Sequence, residues 1–278
     1  MKKTKKIFGG LFIFVLFIFF YFLLFGNLFP FSPVRIGFTK YELTNTIIYV
    51  QNGSNFNKFD GIDTLTNFVE NFHNLKFKSK PKIYLFNDDE SYLHRTTTKA
   101  RFCAYPNGSL VVSPWAQREA EEGKLSLEIY LKHELSHILL YQNMNFLNIF
   151  TYPDWLMEGI AVYSTNQMGT SFYPDKNETY NYIRQGNFLP PFDYKTKNED
   201  KIKLDVKYRI AFMYSEFACI VDYLVSTYGN DKFLFYMKSL LQNSDHDEVF
   251  RQVYGKNFEN AILDFKKAVL DIDSTTVK

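Results

Sequence analysis

The chain has 278 residues, enough to bury the core of one large domain or of two modest ones. It contains 32 lysines and arginines against 30 aspartates and glutamates, and four of the lysines lie within the first six residues. Without those four the balance is 28 to 30, a net charge of −2, so the chain lacks the basic excess that a nucleic-acid-binding surface requires. Cys103 and Cys219 are the only cysteines. Two are too few for a disulfide scaffold or a cysteine-ligated zinc site, and the sequence leaves open whether they pair.

An apolar segment follows the N-terminal lysines. Ile7 to Phe25 is a run of nineteen residues without a charge, and a helix of that length spans about 28 Å, close to the hydrocarbon thickness of a bilayer. The lysines predict a cytoplasmic N-terminus and an extracytoplasmic remainder. A cleaved signal peptide is the alternative, but the run is long and no small-residue cleavage site follows it. We therefore expect residues 1–33 to form a basic tail, a single-pass transmembrane anchor and a linker (Gly26 to Pro33).

The next sixty residues have the pattern of strands alternating with helices. Asp60 to Leu75 repeats its apolar residues at helical spacing and carries His73, which we expect at the surface or boundary of the fold rather than at a metal. His94 lies on a second, short helix capped by Asp88 and is not expected to reach a metal. Three segments rich in Ile, Val and Tyr are predicted as strands: Val34–Phe38, Thr46–Val50 and Lys82–Phe86.

A β-hairpin is predicted next. Pro106-Asn107-Gly108 separates Arg101–Tyr105 from Ser109–Ser113, and such a turn between two short apolar runs is a strong hairpin signal. If the second arm is the open edge of the sheet, the backbone of Leu110, Val111 and Val112 could pair with an extended peptide substrate. An edge strand without that role is the alternative.

The stretch from Ser126 to Gln142 is predicted to be a half-buried helix, because its apolar residues fall three and four apart. It carries His133, Glu134 and His137 in the order H-E-x-x-H. On a helix the two imidazoles lie one turn apart on one face and can bind a single ion, while Glu134 can reach a water on that ion. The motif therefore predicts a zinc site with Glu134 as general base. A surface helix with two histidines by chance is the alternative, and it is disfavoured because the chain has only five histidines.

A third ligand is predicted on the following helix. After an apolar loop (Asn143 to Tyr152), Asp154 is a candidate N-cap and Glu158 lies one turn into a new helix. Its carboxylate would complete a His, His, Glu set and leave the fourth zinc position open for water. The alternative is a solvated helix glutamate, which the apolar neighbours Trp155 and Ile160 disfavour because a glutamate among them needs a partner.

The last third of the chain is predicted to be mainly helical. Asn166 to Lys207 is polar and turn-rich, with one helical piece around Glu178 to Gln185, and it is expected to be a wall of the site or a mobile segment. The helices predicted after it are Tyr208–Thr227, Asp231–Gln242, Asp247–Gly255 and Asn257–Ile272.

These motifs resemble those of a known family. H-E-L-S-H at His133 and W-L-M-E-G-I-A at Trp155 are similar to the motifs of the gluzincin metallopeptidases, and most similar to the peptidase MA-like families. The resemblance spans roughly Leu125 to Leu270 and implies Glu158 as the third zinc ligand. Met157 departs from the pattern, since many members carry asparagine there. That asparagine is not a ligand, so the difference concerns the surroundings of the metal.

The resemblance also implies a fold. We expect an α+β, zincin-like metallopeptidase fold, with a small twisted mixed sheet and helices in residues 34–145 and a helical half in 146–278. Together they would form the catalytic domain behind one N-terminal transmembrane helix, with Zn²⁺ at their junction.

One tyrosine has a catalytic role by the same resemblance. Related zinc aminopeptidases have a tyrosine fifteen residues before a glycine, and its phenol stabilises the oxyanion of the tetrahedral intermediate. Tyr214 stands in that relation to Gly229, and Tyr208 is the second candidate. The aromatic-acid motif with which those aminopeptidases hold a substrate N-terminus has no counterpart here, so endopeptidase is the default expectation.

The sequence therefore predicts a membrane-anchored zinc metallopeptidase that acts on a peptide or protein and does not bind nucleic acid. Two alternatives stay open: a catalytically inactive, membrane-tethered binding or scaffold protein on the same fold, and a zinc hydrolase of a non-peptide amide in the cell envelope. Cleavage specificity and oligomeric state are not predicted.

Overall fold

The computed structural model describes residues 2–54, 56, 59, 61–192 and 199–271, with side chains from Gly10 onward. Within these ranges the chain forms eleven α-helices and one five-stranded sheet. The helices are α1 Lys2–Leu24, α2 Ile62–His73, α3 Asp89–Arg95, α4 Pro114–Glu121, α5 Leu127–Asn143, α6 Asp154–Ser164, α7 Lys176–Arg184, α8 Arg209–Tyr228, α9 Asn230–Ser239, α10 His246–Tyr254 and α11 Phe258–Asp271. The strands are β1 Phe38–Glu42, β2 Ile47–Gln51, β3 Lys82–Leu85, β4 Phe102–Ala104 and β5 Ser109–Val112. Short 3₁₀ helices cover Phe29–Phe31, Phe146–Phe150 and Glu199–Lys201.

The sheet is mixed, in the order β1-β2-β3-β5-β4. β2, β3 and β5 run parallel, whereas β1 and β4 are antiparallel to their neighbours. The α+β class, the small mixed sheet and the hairpin at Pro106-Asn107-Gly108 agree with the sequence. The first strand differs: β1 begins only at Phe38, because the preceding residues turn through Gly37, whose φ is 83°.

The prediction that the second hairpin arm is the open edge is wrong. β5 lies between β3 and β4 and is hydrogen-bonded on both sides. Leu110, Val111 and Val112 have no exposed surface, so none of them can contact a substrate. The edge strand is β4, the first arm. Both arms are short and apolar, so only the pairing of β5 with β3 reveals which of them is internal.

The two faces of the sheet carry different cores, because side chains alternate along a strand. Ile83 and Leu85 face α2 and α5 in an aliphatic core. Tyr84 and Phe86 face the opposite side, where they meet Phe29 in an aromatic layer. The helix with the H-E-x-x-H motif therefore lies on the aliphatic face.

The segment expected to be a linker is part of the fold. Phe29 is completely buried in the aromatic layer, and Pro30 and Ser32 are also buried. The carbonyl oxygen of Pro30 accepts hydrogen bonds from Asn107 Nδ2 at 2.7 Å and Ser109 Oγ at 3.0 Å. Proline-rich composition suggested a linker, but the aromatic side chains in the segment bury themselves against the sheet.

The helical half packs around α8. This helix is long and apolar enough to cross a membrane, but 61% of its apolar stretch is buried inside the protein, so it is a core helix. Its closest neighbour is α6: a Cβ on Gly159 would lie 2.8 Å from the carbonyl oxygen of Phe217. Glycine therefore allows the two helix backbones to touch. By contrast, the part of α1 whose side chains the structure describes, Gly10–Leu24, leaves most of its large side chains exposed.

Of the two predicted N-caps, Asp88 is confirmed at the start of α3, where it accepts from a backbone N–H. Ser126 caps α5 in the same way. Asp154 is not a cap, because Pro153 is the N-cap residue and Asp154 is the first residue of α6. There its negative charge interacts favourably with the positive end of the helix dipole. Helix α4 was missed, although Ser113 before Pro114 is a start signal. The predicted helix end at Ile272 lies outside the described residues, as does part of the Asn166–Lys207 stretch.

Candidate metal centre and cleft

Three side chains from two helices meet at one point. His133 and His137 project from α5, and Glu158 projects from α6 toward them. The two Nε2 atoms are 3.1 Å apart, and Glu158 Oε2 lies 3.3 Å from Nε2 of His133 and 3.4 Å from Nε2 of His137. All three residues are buried. Within the described part of the chain, this is the only cluster of His, Cys, Asp and Glu side chains that could hold a metal ion.

The spacing of these three atoms fits zinc. Bonds of about 2.0–2.1 Å from a tetrahedral zinc ion to nitrogen and oxygen ligands place the ligand atoms about 3.3 Å from one another. The separations of 3.1, 3.3 and 3.4 Å correspond to one face of such a tetrahedron. Two histidines and one glutamate are also a donor set of catalytic zinc sites, which keep the fourth position open. The residues present therefore fit a zinc cofactor.

Gln167 orients one of the two imidazoles. Its Oε1 atom lies 2.8 Å from Nδ1 of His133, and the glutamine is completely buried. An amide oxygen only accepts, so Nδ1 of His133 donates its proton to Gln167 and Nε2 is the ring nitrogen left to bind a metal ion. Burial lowers the pKa of His133, but Glu158, Glu134 and Gln167 outweigh it and the net pKa is raised. Among the described residues, Nδ1 of His137 has no such partner.

Glu134 is held next to the cluster by the edge strand. The backbone N–H of Ala104, at the end of β4, donates to Glu134 Oε2 over 2.8 Å. This contact links the H-E-x-x-H helix to the open edge of the sheet. The carboxylate is therefore positioned between the metal ligands and the strand along which an extended chain could lie.

These groups line one cleft of about 510 Å³. Both β4 and the N-terminal part of α8 contribute to its walls, and Tyr208 and Tyr214 line it. Tyr214 is buried, whereas Tyr208 is 41% exposed. Met157, the residue that departs from the family pattern, also faces the cleft. The structure thus places both candidate tyrosines in the same cleft as Glu134.

His73 lies behind the metal helix, fully buried, and the expectation that it is a surface or boundary residue is wrong. Its Nε2 atom lies 2.8 Å from Ser136 Oγ, and its Nδ1 atom lies 2.8 Å from the Val69 carbonyl oxygen. Burial, aided by the charge of the nearby His137, lowers the pKa of His73 to about 4, against the effect of the Val69 hydrogen bond. His73 is therefore neutral at pH 7 and supports α5 from α2.

The remaining candidates are not part of the metal cluster, although Cys103 lines the cleft. His94 is on the aromatic side of the sheet, where its Nε2 atom lies 3.5 Å from the hydroxyl of Tyr21. Cys103 on β4 and Cys219 in the core of α8 are both reduced thiols. Sequence reasoning missed Gln167 and the Ala104 amide. Nothing in the local pattern marks Gln167, and a backbone N–H carries no side-chain signal.

One of three comparisons with known proteins identifies a family for this chain. The family model described as Peptidase MA superfamily matches residues 104–270. No curated protein matches the chain. Solved structures of the M1 zinc metallopeptidase from Deinococcus radiodurans, in its original and a mutant form, are similar over 84% of this chain and 50% of theirs. Their sequence identities are 12% and 11%, with TM-scores of 0.47 and 0.46. The chain thus spans about half the length of those proteins.

Proposed function

This chain belongs to the Peptidase MA superfamily, and on that premise we propose that it is a membrane-anchored zinc peptidase that hydrolyses peptide bonds in proteins. The observation that carries the proposal is the convergence of His133, His137 and Glu158 beside Glu134, in a cleft bordered by the open edge of the sheet. An inactive scaffold would not need an intact base next to an intact ligand set.

His133, His137 and Glu158 would hold the zinc ion. When bound, zinc supplies Lewis acidity, which polarises a carbonyl group and makes water a better nucleophile at neutral pH. Gln167, which contacts Nδ1 of His133, would keep the proton on that atom and leave Nε2 available to the ion.

Glu134 would act as the general base. It would accept a proton from the attacking water and pass it to the nitrogen of the departing amine. The Ala104 N–H holds one carboxylate oxygen and limits the rotation of the side chain. Such positioning is what a proton-transfer group needs, because the transfer requires hydrogen-bond distance to the reacting atoms.

The edge strand would bind the substrate backbone. Tyr105 N donates to Ser109 O and Ser113 N donates to Arg101 O, so the backbone groups of alternate residues on this strand face β5. Those of Phe102 and Ala104 face the opposite way, toward the cleft, where the Ala104 N–H is bonded to Glu134. An extended peptide could pair with the other backbone groups of that edge, as in other cases of strand addition.

Tyr214 would stabilise the oxyanion. Its position in the wall of the same cleft as Glu134 suits a hydroxyl that donates to charge developing on the scissile carbonyl. Tyr208 lines the same wall but is more exposed, so it is the second candidate for this role.

The membrane anchor would be α1. Its large side chains from Leu11 to Phe20 are 37 to 72% exposed and apolar, which favours a lipid environment. With lysines at its start, the N-terminus would be cytoplasmic and the cleft extracytoplasmic.

Glu134→Gln tests the proposal. We expect the purified full chain to keep one zinc ion per molecule and to lose cleavage of an unstructured protein substrate by at least about 10²-fold. Glu128→Gln is the matched control, since Glu128 is an exposed glutamate six residues earlier on α5 that pairs with Lys132. Unchanged cleavage in Glu134→Gln would remove Glu134 from the mechanism, and a parent protein that binds zinc but cleaves neither proteins nor envelope amides would favour the scaffold.

A further inference from the structure

The proposed anchor continues into the folded domain without a flexible joint. Phe25 N donates to Tyr21 O over 2.9 Å and Leu28 N donates to Phe22 O over 3.1 Å, so the last turn of α1 is extended by further hydrogen bonds. Phe29 N then donates to Gly26 O over 3.0 Å, which starts the Phe29–Phe31 3₁₀ helix. Four residues therefore separate the end of α1 from a fully buried side chain.

This 3₁₀ helix is fastened to the sheet. The ring of Phe29 stacks on Phe38 with 5.2 Å between centroids, and the guanidinium of Arg95 lies 4.7 Å from the Phe29 ring. A second contact lies within α1 itself, where the ring of Tyr21 meets His94 of α3 at 6.4 Å. The end of α1 and the aromatic face of the sheet are thus held together by side chains from both.

Four apolar side chains surround this attachment and are not covered by the protein. Phe31, Val34, Ile36 and Leu93 are 38 to 52% exposed. Scattered exposed apolar residues are normal, so their position is what matters here. Phe31 belongs to the 3₁₀ helix, and Val34 follows it, with its carbonyl oxygen accepting from Ser32 Oγ at 2.7 Å. The carbonyl oxygen of Ile36 accepts from Arg95 Nη1 at 2.9 Å. Leu93 is the residue before His94, which contacts α1.

We propose that the aromatic face of the sheet rests on the bilayer into which α1 inserts, with Phe31, Val34, Ile36 and Leu93 in the interfacial region. This inference rests on the proposed anchor. If α1 is inserted in a bilayer, the bilayer lies next to this face, because the four side chains lie around the point where α1 leaves the domain. Interfacial burial of apolar side chains next to a spanning helix is favourable.

The arrangement has a consequence for the substrate. The metal helix α5 packs on the opposite face of the sheet from Phe29. The metal ligands on α5 therefore lie on the side of the sheet away from the proposed lipid contact. The peptidase would act on polypeptide segments that stand clear of the bilayer and would not reach bonds at the lipid surface.

Tryptophan substitutions in the full chain test this contact. The protein is reconstituted into phosphatidylcholine vesicles with plain or brominated acyl chains, and bromine quenches nearby tryptophans. We expect the emission added by Val34→Trp and by Leu93→Trp to be reduced in brominated vesicles, relative to the parent with its native Trp115 and Trp155. Leu147→Trp is the matched control, since Leu147 is 72% exposed in the other apolar surface cluster, Phe146–Phe150. Its added emission should not change.

Each other outcome overturns the proposal at a different level. A chain that fails to float with the vesicles refutes the anchor itself. If the chain floats with the vesicles but the emission of Val34→Trp and Leu93→Trp is the same in plain and brominated vesicles, the proposed contact is wrong and the anchor is still supported. Quenching at Leu147→Trp alone would place Phe146–Phe150 on the bilayer instead. Emission that shifts with protein concentration and not with bromine would mean that a second copy covers this face.

Discussion

The Nδ1 atom of His133 lies 2.8 Å from Oε1 of Gln167, and this contact sets the tautomer of the imidazole in the metal cluster. Gln167 follows Asn166, whose φ is 53°, in the turn that ends the α6 region. The turn folds the glutamine back under α5. One buried hydrogen bond thus links the helix that carries two of the proposed ligands to the segment following the helix that carries the third.

Gln167→Ala should weaken zinc binding without unfolding the protein. Loss of a partner that orients a ligand histidine raises the dissociation constant of a metal by about 10- to 100-fold. Chelator competition measures that constant directly. Gln252→Ala, at an exposed position on α10, is the control and should bind zinc like the parent. An unchanged zinc affinity in Gln167→Ala would show that α5 alone orients His133.

Gly159→Ala should destabilise the protein by about 1–3 kcal/mol, because its Cβ would meet the Phe217 backbone and force α6 and α8 apart. The shift would also move Glu158, the residue before Gly159, so zinc affinity should fall together with stability. Denaturant unfolding in detergent measures the first effect. Gly10→Ala is the same substitution in α1, where a Cβ meets nothing within 4 Å, and should have little effect. If Gly159→Ala has the same free energy of unfolding as the parent, the two helices can move apart without loss of stability.

Tyr214→Phe should lower kcat by about 10²- to 10³-fold with little change in KM, because the hydroxyl would bind charge that exists only in the transition state. Zinc content should stay the same. Steady-state kinetics on a peptide substrate separate the two constants. Tyr208→Phe, on the same cleft wall, should retain activity. If kcat falls in Tyr208→Phe and not in Tyr214→Phe, Tyr208 is the residue that stabilises the oxyanion.

The zinc-free protein should lose stability as the pH falls from 6.5 toward 4, in part because of His73. Its folded pKa of about 4 lies below the ordinary 6.5, so the unfolded chain binds the proton more tightly. The contribution of neutral His73 is therefore complete above pH 6.5 and declines below it, by up to about 3 kcal/mol. Unfolding of the chelator-treated protein across this pH range measures the decline. His73→Gln should reduce the slope, and His94→Gln should leave it unchanged. Equal slopes in all three proteins would contradict a buried neutral His73.

Some residues could have been placed better from the sequence. Ile62, Leu65 and Val69 define the buried stripe of α2, and His73 continues it four residues later. The periodicity therefore indicated burial, but a histidine was expected to be solvated. Ser113 followed by Pro114 is likewise a typical helix start and indicates α4.

The sequence by itself determined the features that depend on neighbours along the chain. The spacing of His133 and His137 follows from the helical repeat, the hairpin from its Asn-Gly turn, and the start of α5 from its Ser126 cap. The tertiary structure decided which hairpin arm is the edge, what covers Phe29, and where Gln167 lies. Those features depend on contacts between segments far apart in the chain, and local spacing does not encode which segments meet.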